Sequence, residues 1–365
     1  MSSVLTAPRT SAFWRAGWLH PLNDRHALEE MLAGIDPLLS LGTVKARLVA
    51  RQAETASCCS LRFKPNRWWR GFVAGQHLRL SVEIKGVRCE RAYSLSTAPQ
   101  ADGCIEITVQ RQAGGKVSSY LHDELPLGAV VELSQASGDF TPPTTLPAAG
   151  LLLIAAGSGI TPMRGLLQTL HARGVAAPGS ICLIQVCRSQ QDCIYGQELD
   201  TLAAQWPALR LIRWYSAQQS RPEAAQLLAL APDHAQRLSY LCGPAGFMRN
   251  VESYWQSLPD AAPLHLERFG AAPLELAPDA PAVQVQLQRS GAGFASRRGA
   301  ALLTEAERAG LAPAYGCRIG ICRSCQCRKR SGTVQDLVTG TVSSEPNEWI
   351  RLCVSSAQSD LELDL

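Results

Sequence analysis

The sequence predicts a multi-domain chain combining α+β and α/β architecture: an antiparallel β-barrel, then a doubly wound parallel sheet, then a small cysteine-bearing domain. Three observations predict it. From Thr43 to about Thr145, short alternating runs are separated by glycine turns, as an antiparallel barrel requires. From about Ala148 to Gly270, apolar runs of strand length alternate with helical stretches, the texture of a parallel sheet with crossover helices. Near the C-terminus, Cys317, Cys322, Cys325 and Cys353 stand in the pattern C-x4-C-x2-C-x27-C.

The chain has 365 residues, which suits roughly two to three domains. Its hydrophobic fraction of 46% is ample for buried cores, and its net charge of +4 is too weak to imply nucleic-acid binding. The longest apolar run, Gly150 to Ala156, is strand-sized, far short of the ~18 residues a bilayer span needs. The N-terminus lacks the basic region, apolar core and cleavage site of a signal peptide. Thirteen cysteines spread over this length suit a reducing cytosol rather than a secreted disulfide scaffold, so a cytoplasmic protein is expected.

Residues 1–42 read as an N-terminal extension. It carries Phe13, Trp14, Trp18 and Leu19, then an Asn23-Asp24 start signal and a helical stretch from Ala27 to Leu32. Its aromatics either pack on the next domain or touch a membrane surface or a membrane-bound partner. Residues 43–146 form the expected barrel. Val44 to Val49, Leu78 to Val82 and Ile105 to Val109 alternate, with turns at Gly71, Gly75, Gly86, Gly103, Gly114-Gly115 and Gly128.

Residues 147–270 form the parallel-sheet domain. Its strands are Leu151 to Ile154, Ile181 to Val186, Leu209 to Trp214 and Leu238 to Cys242, with helices over Met163 to Arg173 and about Glu198 to Gln205. Residues 271–281 are an Ala/Pro-rich linker, stiff and poorly suited to a core. Residues 282–365 carry a strand at Val283 to Leu287, a helix at Leu302 to Ala309, and the cysteine loop. No internal repeat is evident.

The cysteine spacing is that of a plant-type [2Fe–2S] site. Three thiolates on one tight loop wrap two irons only if the backbone turns sharply, a freedom that Gly316 and Gly320 supply. The fourth ligand closes the site from a separate segment. Cys317, Cys322, Cys325 and Cys353 are therefore the metal ligands, and Cys327 is a bystander. A zinc knuckle is the alternative for any Cys-x2-Cys pair, but no histidine follows His265 to complete one.

Two further sets of residues address flat, phosphorylated ligands. Arg91 and Tyr93 stand two apart on a strand and so share a face, one suited to phosphate and the other to stacking on a heterocycle. Gly115-Lys116-Val117-Ser118 reads as a glycine turn into a helix N-terminus, whose open N–H groups suit a pyrophosphate. Alone, each has a plain structural reading: a surface Arg on a half-buried strand, or any strand-to-helix turn.

Together, Arg91-x-Tyr93-Ser94, the Gly115–Ser118 turn, Gly157-Ser158-Gly159-Ile160-Thr161-Pro162 and Cys242-Gly243-Pro244 resemble, in that order, the ferredoxin–NADP reductase superfamily. With the cluster loop appended, residues from about Thr43 to Leu365 are similar to oxygenase- and desaturase-type reductases. The resemblance implies a flavin-binding barrel, an NAD(P)-binding domain and a β-grasp ferredoxin domain. It assigns Arg91, Tyr93 and Ser94, with Lys116, Val117 and Ser118, to the flavin. It assigns Gly157, Ser158, Gly159, Thr161, Pro162, Gly243 and Pro244 to the nicotinamide dinucleotide. Cys242 and Glu267, with Tyr93 and Ser94, are implied to stand near the reacting rings.

FAD is expected over FMN, because the Gly115 turn suits a pyrophosphate that FMN lacks. NADPH is expected over NADH, because the second strand of the sheet ends in Cys187-Arg188-Ser189 with no acid at its tip. The implied reaction is the splitting of hydride pairs into single electrons for a partner protein.

The stretch Val44 to Tyr93, including Leu61 to Phe72 and Ala74-Gly75-Gln76, resembles reductases that serve membrane-bound di-iron fatty acyl desaturases. Such a partner would hold the chain peripherally at a membrane. A Rieske or di-iron ring-hydroxylating oxygenase is the alternative acceptor. A non-catalytic electron-carrier or redox-sensing module is the alternative of another class. Arg318, Arg323, Arg328, Lys329 and Arg330 surround the cluster loop and predict a basic face for an acidic acceptor.

Overall fold

The computed structural model describes residues 25–269, 281–316, 318, 320 and 323–365. The aromatics of the N-terminal extension, its Asn23-Asp24 start signal and nearly all of the linker lie outside the described residues. A helix spans Arg25–Ile35 and carries the chain toward the barrel. Before the first strand the chain is pinned down: Trp68 Nε1 donates to the Ser40 carbonyl at 2.9 Å, and Asn66 Nδ2 to those of Leu38 and Thr43 at 3.0 and 3.1 Å. The tryptophan-rich stretch thus works as barrel packing.

Six strands form the first sheet: β1 (Val44–Thr55), β2 (Cys58–Pro65), β3 (His77–Ile84), β4 (Val87–Ser94), β5 (Ile105–Gln110) and β6 (Val130–Leu133). Their order is β4-β3-β6-β1-β2-β5, and every pairing is antiparallel. Leu95, just past β4, bridges to Ile107 of β5 and brings the two edges together, closing the sheet into a barrel. Period-two alternation sends Leu48, Leu61, Phe63, Leu78, Leu80, Ile105 and Ile107 inward, each essentially inaccessible to solvent. Burial of each contributes about 1.5–3 kcal/mol over exposure.

The second sheet is parallel, with order β11-β10-β7-β8-β9. Its strands are β7 (Leu151–Ala156), β8 (Ile181–Cys187), β9 (Leu209–Tyr215), β10 (Leu238–Cys242) and β11 (Leu264–Glu267). Both faces are covered, so β7 and β8 are buried at every position and read as unbroken apolar runs. Leu151, Leu153 and Ala155 face the helix Ile160–Ala172, while Leu152, Ile154 and Ala156 face the helix Ala245–Gln256. That second helix has no counterpart in the sequence expectation. Its inward residues Met248, Val251 and Trp255 fall at helical spacing and are the signal for it. The helix expected from Met163 starts three residues earlier, because Pro162 sits in its first turn, where a missing N–H costs nothing.

The third domain has a five-stranded mixed sheet, order β13-β12-β19-β14-β17, and a small three-stranded one, β16-β15-β18. These are β12 (Ala282–Leu287), β13 (Gly293–Arg297), β14 (Gln326–Ser331), β15 (Val334–Asp336), β16 (Val342–Ser343), β17 (Glu348–Arg351), β18 (Ser355–Ala357) and β19 (Leu361–Leu363). The helix Leu302–Arg308 packs Leu302, Leu303 and Ala306 into that core, the β-grasp arrangement. No helix among the described residues is long and apolar enough to cross a membrane.

Candidate active site at the junction of three domains

Two clefts open side by side where the barrel meets the parallel sheet, and Gln110 at the end of β5 lines both. The first, of 530 Å³, is walled on the barrel side by Arg91, Tyr93 and Ser94 of β4 and by Thr108 of β5. Gly115, Lys116, Val117 and Ser118 close one end of it. Ser158 and Thr161 reach in from the parallel-sheet domain, and Phe269 and Arg318 complete the rim. The i, i+2 spacing puts Arg91 and Tyr93 in this cleft as the strand register predicts.

Several details fit a bound flavin. The Ser94 hydroxyl is buried without any hydrogen-bond partner, a donor held ready for an acceptor. A Cβ on Gly115 would stand 2.5 Å from Ser118 Oγ and 3.0 Å from the Gln112 carbonyl, so only glycine permits this turn. The turn opens a helix of four residues, Lys116–Ser119, that widens directly into a π-turn over Tyr120–Glu124, rather than the regular helix expected. The first-turn N–H groups have no acceptor within the helix.

The second cleft, of 740 Å³, lies over the carboxyl edge of the parallel sheet, where open α/β sheets bind ligands. Gly157, Arg188 and Pro244 line it, with Ile194, Ser216, Arg221 and Phe247. The turn after β7 is a tight one: Thr161 Oγ1 donates to the Ser158 carbonyl at 2.9 Å. A Cβ on Gly159 would stand 2.1 Å from the Cys242 carbonyl and 2.7 Å from the Gly243 nitrogen. That close approach presses the turn against the end of β10 and joins two motifs 80 residues apart in sequence. Asp192 and Glu223 also line this cleft, so acids are present that the tip of β8 alone does not reveal. Asp192 accepts from Ser189 Oγ at 2.6 Å, while Arg188 and Arg221 form no ion pair with a described residue.

Cys242 and Glu267 stand behind the walls rather than in them. Cys242 is completely buried, and burial, reinforced by the Glu267 charge, pushes its thiol well above the ordinary range. The two residues are register partners on β10 and β11. Glu267 turns toward the barrel, its Oε1 3.4 Å from His77 Nδ1, and His77 is in turn the register partner of Ser94. His77 belongs to no motif, and no local signal in the sequence marks it.

The cluster loop meets the first cleft. Arg91 Nη1 donates to the Gly316 carbonyl at 2.9 Å across 225 residues. Arg318 stacks on Tyr315 at 3.9 Å and makes two bonds to Glu307, at 2.9 and 2.5 Å. Cys317 and Cys322 lie outside the described residues. Cys325 and Cys353 are both buried, with sulfurs 3.1 Å apart, and their shared hydrogen bond draws the Cys325 thiol down to about 6. Two buried thiols facing each other beside a loop that turns sharply at Gly320, φ +83°, suit an iron–sulfur cluster.

The basic face predicted around this loop is thinned by pairing and burial. Arg323 and Arg328 are left without an ion pair among the described residues, the Arg328 Nε donating to the Asn347 carbonyl at 3.0 Å. Lys329 is fully buried, paired with Glu348 at 2.6 Å; Arg330 pairs with Asp364 at 2.7 Å, and Arg318 turns inward to the cleft. Period-two alternation on β14 buries Lys329, and Arg323 alone of the five stands exposed. A count of charges in sequence cannot distinguish these fates.

Comparison with known proteins accords with this arrangement. Three domain families match in order: the oxidoreductase FAD-binding domain over residues 45–141, the oxidoreductase NAD-binding domain over 153–253, and the 2Fe-2S iron-sulfur cluster binding domain over 285–358. An NADPH oxidoreductase of Mycobacterium tuberculosis is 32% identical over 335 residues, covering 90% of this chain and 86% of that protein. The ferredoxin reductase component of 3-ketosteroid-9-alpha-monooxygenase from the same organism is 32% identical, covering 79% and 84%. The structure of phthalate dioxygenase reductase superposes with a TM-score of 0.61 at 25% identity, covering 89% of this chain and 98% of that one. The chain therefore belongs to the ferredoxin–NADP reductase superfamily, as an NAD(P)H-dependent flavin iron–sulfur oxidoreductase that carries FAD and a C-terminal [2Fe–2S] ferredoxin domain.

Proposed function

We propose that the chain is the reductase component of a multicomponent oxygen-activating system, drawing on NADPH and delivering single electrons to a protein partner. The observation that carries this reading is the contiguity of the two clefts at Gln110, with the cluster loop tied to the first of them through Arg91 and Gly316. The cofactors supply the redox chemistry: when bound, flavin takes electrons in pairs from the nicotinamide and yields them singly to the cluster.

The residues of the chain hold and orient. Arg91 faces the flavin phosphates, as do the N–H groups of Lys116, Val117 and Ser118. The Tyr93 ring would offer a stacking face to the isoalloxazine, and the orphaned Ser94 hydroxyl would offer it a hydrogen bond. Arg318 adds a cation to the same cleft from the cluster domain. Gly157, Gly159 and Thr161 shape the seat of the dinucleotide, with Ser158 and Pro162 in the same turn and Gly243-Pro244 opposite. Arg188 and Arg221 receive a 2′-phosphate, which favours NADPH. Cys242 and Glu267 back the reacting region through the His77 contact. Cys317, Cys322, Cys325 and Cys353 hold the cluster.

The oxygenase reading of the acceptor draws on relatives named as the reductase component of 3-ketosteroid-9-alpha-monooxygenase, the reductase subunit of glycine betaine monooxygenase, and phthalate dioxygenase reductase. A membrane-bound di-iron fatty acyl desaturase is the second reading, favoured by the sequence resemblance of residues 61–76. Reconstitution of the purified holoprotein with each class of acceptor distinguishes them. Product should form in proportion to NADPH consumed with an oxygenase component, and NADH should support it less well. Product only with a desaturase in membranes would reverse the order of the two readings. NADPH oxidation that yields no product with either would defeat both.

A further inference from the structure

Arg164 belongs to none of the motifs, yet it joins the two domains on which the clefts are built. It lies about one turn into the helix Ile160–Ala172 of the parallel-sheet domain. Its Nη1 crosses to the barrel, 2.5 Å from Glu106 Oε1 and 3.3 Å from the Ser96 carbonyl. Its Nε stays within its own domain, 2.8 and 2.9 Å from the two oxygens of Glu198. The guanidinium also stacks on the Tyr195 ring at 4.5 Å. Burial works against the charge, but Glu198, Tyr195 and Glu106 outweigh it and hold Arg164 protonated.

The surroundings extend the joint to both clefts. The Tyr195 hydroxyl hydrogen-bonds Thr108 Oγ1, in the wall of the first cleft. Its neighbour Ile194 lines the second, and is fixed by a bond from Gln185 Nε2 to its carbonyl at 3.0 Å. On the same helix, a Cβ on Gly165 would stand 3.0 Å from the Thr97 carbonyl, so helix and barrel backbone are in direct contact. Gln168, a turn later, accepts from the Ala98 N–H at 2.9 Å. The barrel segment so held, Leu95 to Ala98, follows Ser94 without a break.

Hydride transfer demands reacting atoms about 3–3.5 Å apart, and a misplacement of about 1 Å by a remote change costs on the order of 10²-fold in rate. One partner sits in the barrel and the other on the parallel sheet, so their separation is fixed by the joint between these domains. A single guanidinium bridging carboxylates of both domains resists sliding, because separation strands a poorly solvated carboxylate. We propose that Arg164 is a positioning residue that sets the distance and angle between the flavin and nicotinamide clefts while touching neither cofactor. The inference rests on the reading that hydride passes between these clefts.

The test uses the holoprotein with Arg164→Met, Arg164→Lys and Glu106→Gln, the last removing only the barrel carboxylate that is ion-paired with Arg164. Anaerobic stopped-flow follows flavin reduction by NADPH and by NADPH deuterated at nicotinamide C4. Flavin content and nucleotide dissociation constants are measured alongside. Arg164→Met should lower the limiting rate of flavin reduction about tenfold or more and raise the isotope effect, with both binding constants within about twofold. Arg164→Lys should recover part of the rate, and Glu106→Gln should fall between. A flavin-loaded Arg164→Met or Glu106→Gln that reduces at the wild-type rate with an unchanged isotope effect overturns the inference. So does a rate loss that only tracks weakened nucleotide binding. If Arg164→Met does not fold, Glu106→Gln decides by the same criteria. A wild-type protein whose flavin neither NADPH nor NADH reduces would refute the hydride reading instead.

Discussion

A buried hydroxyl with no partner forgoes a hydrogen bond, leaving a desolvation cost of about 1–3 kcal/mol. Ser94 carries such a hydroxyl in the wall of the first cleft. Its substitution therefore has opposite consequences with and without flavin. Ser94→Ala should leave the melting temperature of the flavin-free protein unchanged or raised, and lower that of the flavin-loaded protein. Paired thermal melts of the two forms check it; equal losses in both would show that the hydroxyl serves the fold. At this scale Arg91, Tyr93 and Ser94 are legible in the sequence, because strand periodicity alone puts Arg91 and Tyr93 on one side. His77, Arg164 and Arg318 are not. Each acts on groups far away along the chain, and no local pattern encodes such a meeting.

Among the elements, the joint between barrel and helix gathers three carboxylates, from Glu54 of β1, Glu106 of β5 and Glu198, around Arg164. Glu54 receives a bond from Ser60 Oγ at 2.7 Å but no ion pair among the described residues. Burial raises its pKa, outweighing the Ser60 bond and the attraction of Arg164. The unfolded chain consequently gives up this proton at lower pH than the folded one, so the residue costs stability as pH rises through that interval. Glu54→Gln should raise the melting temperature at pH above neutrality, with the gain shrinking as pH falls toward the ordinary glutamate range. A gain independent of pH would place its origin elsewhere.

Element type was readable wherever burial is regular. The central strands β7 and β8 announce themselves as unbroken apolar runs, and β1, β3 and β5 as alternation. The helix Ala245–Gln256 was obscured because only Met248, Val251 and Trp255 are buried along its length. The helix after Gly115 is shorter than its signal suggests, since the chain widens into a π-turn at Tyr120.

For the molecule as a whole, the three-domain order and the cluster spacing are local in sequence, and so could be read from it. The charge on the docking face could not, because pairing and burial decide which cations solvent sees. With Lys329 buried and Arg330 and Arg318 paired, only Arg323 and Arg328 of the five carry an unpaired charge among the described residues. Electrostatic steering of a partner is therefore weaker than the sequence count suggests. Coupled turnover should change less than about twofold between about 0.01 and 0.1 M salt, as the Debye length shrinks from about 30 to about 10 Å. A steep decline in stopped-flow electron delivery would restore the idea of an acidic acceptor surface.

The bond from Arg91 to the Gly316 carbonyl has a consequence for how the holoprotein is made. A loop that must wrap its irons during maturation is held by a side chain of the other cofactor's cleft. Linkage makes any free energy passing through that contact reciprocal. Whatever factor flavin adds to retention of the iron, a completed cluster returns to the affinity for flavin. Where that factor exceeds one, loss of either prosthetic group loosens the other, and half-loaded molecules are the scarcest members of the population.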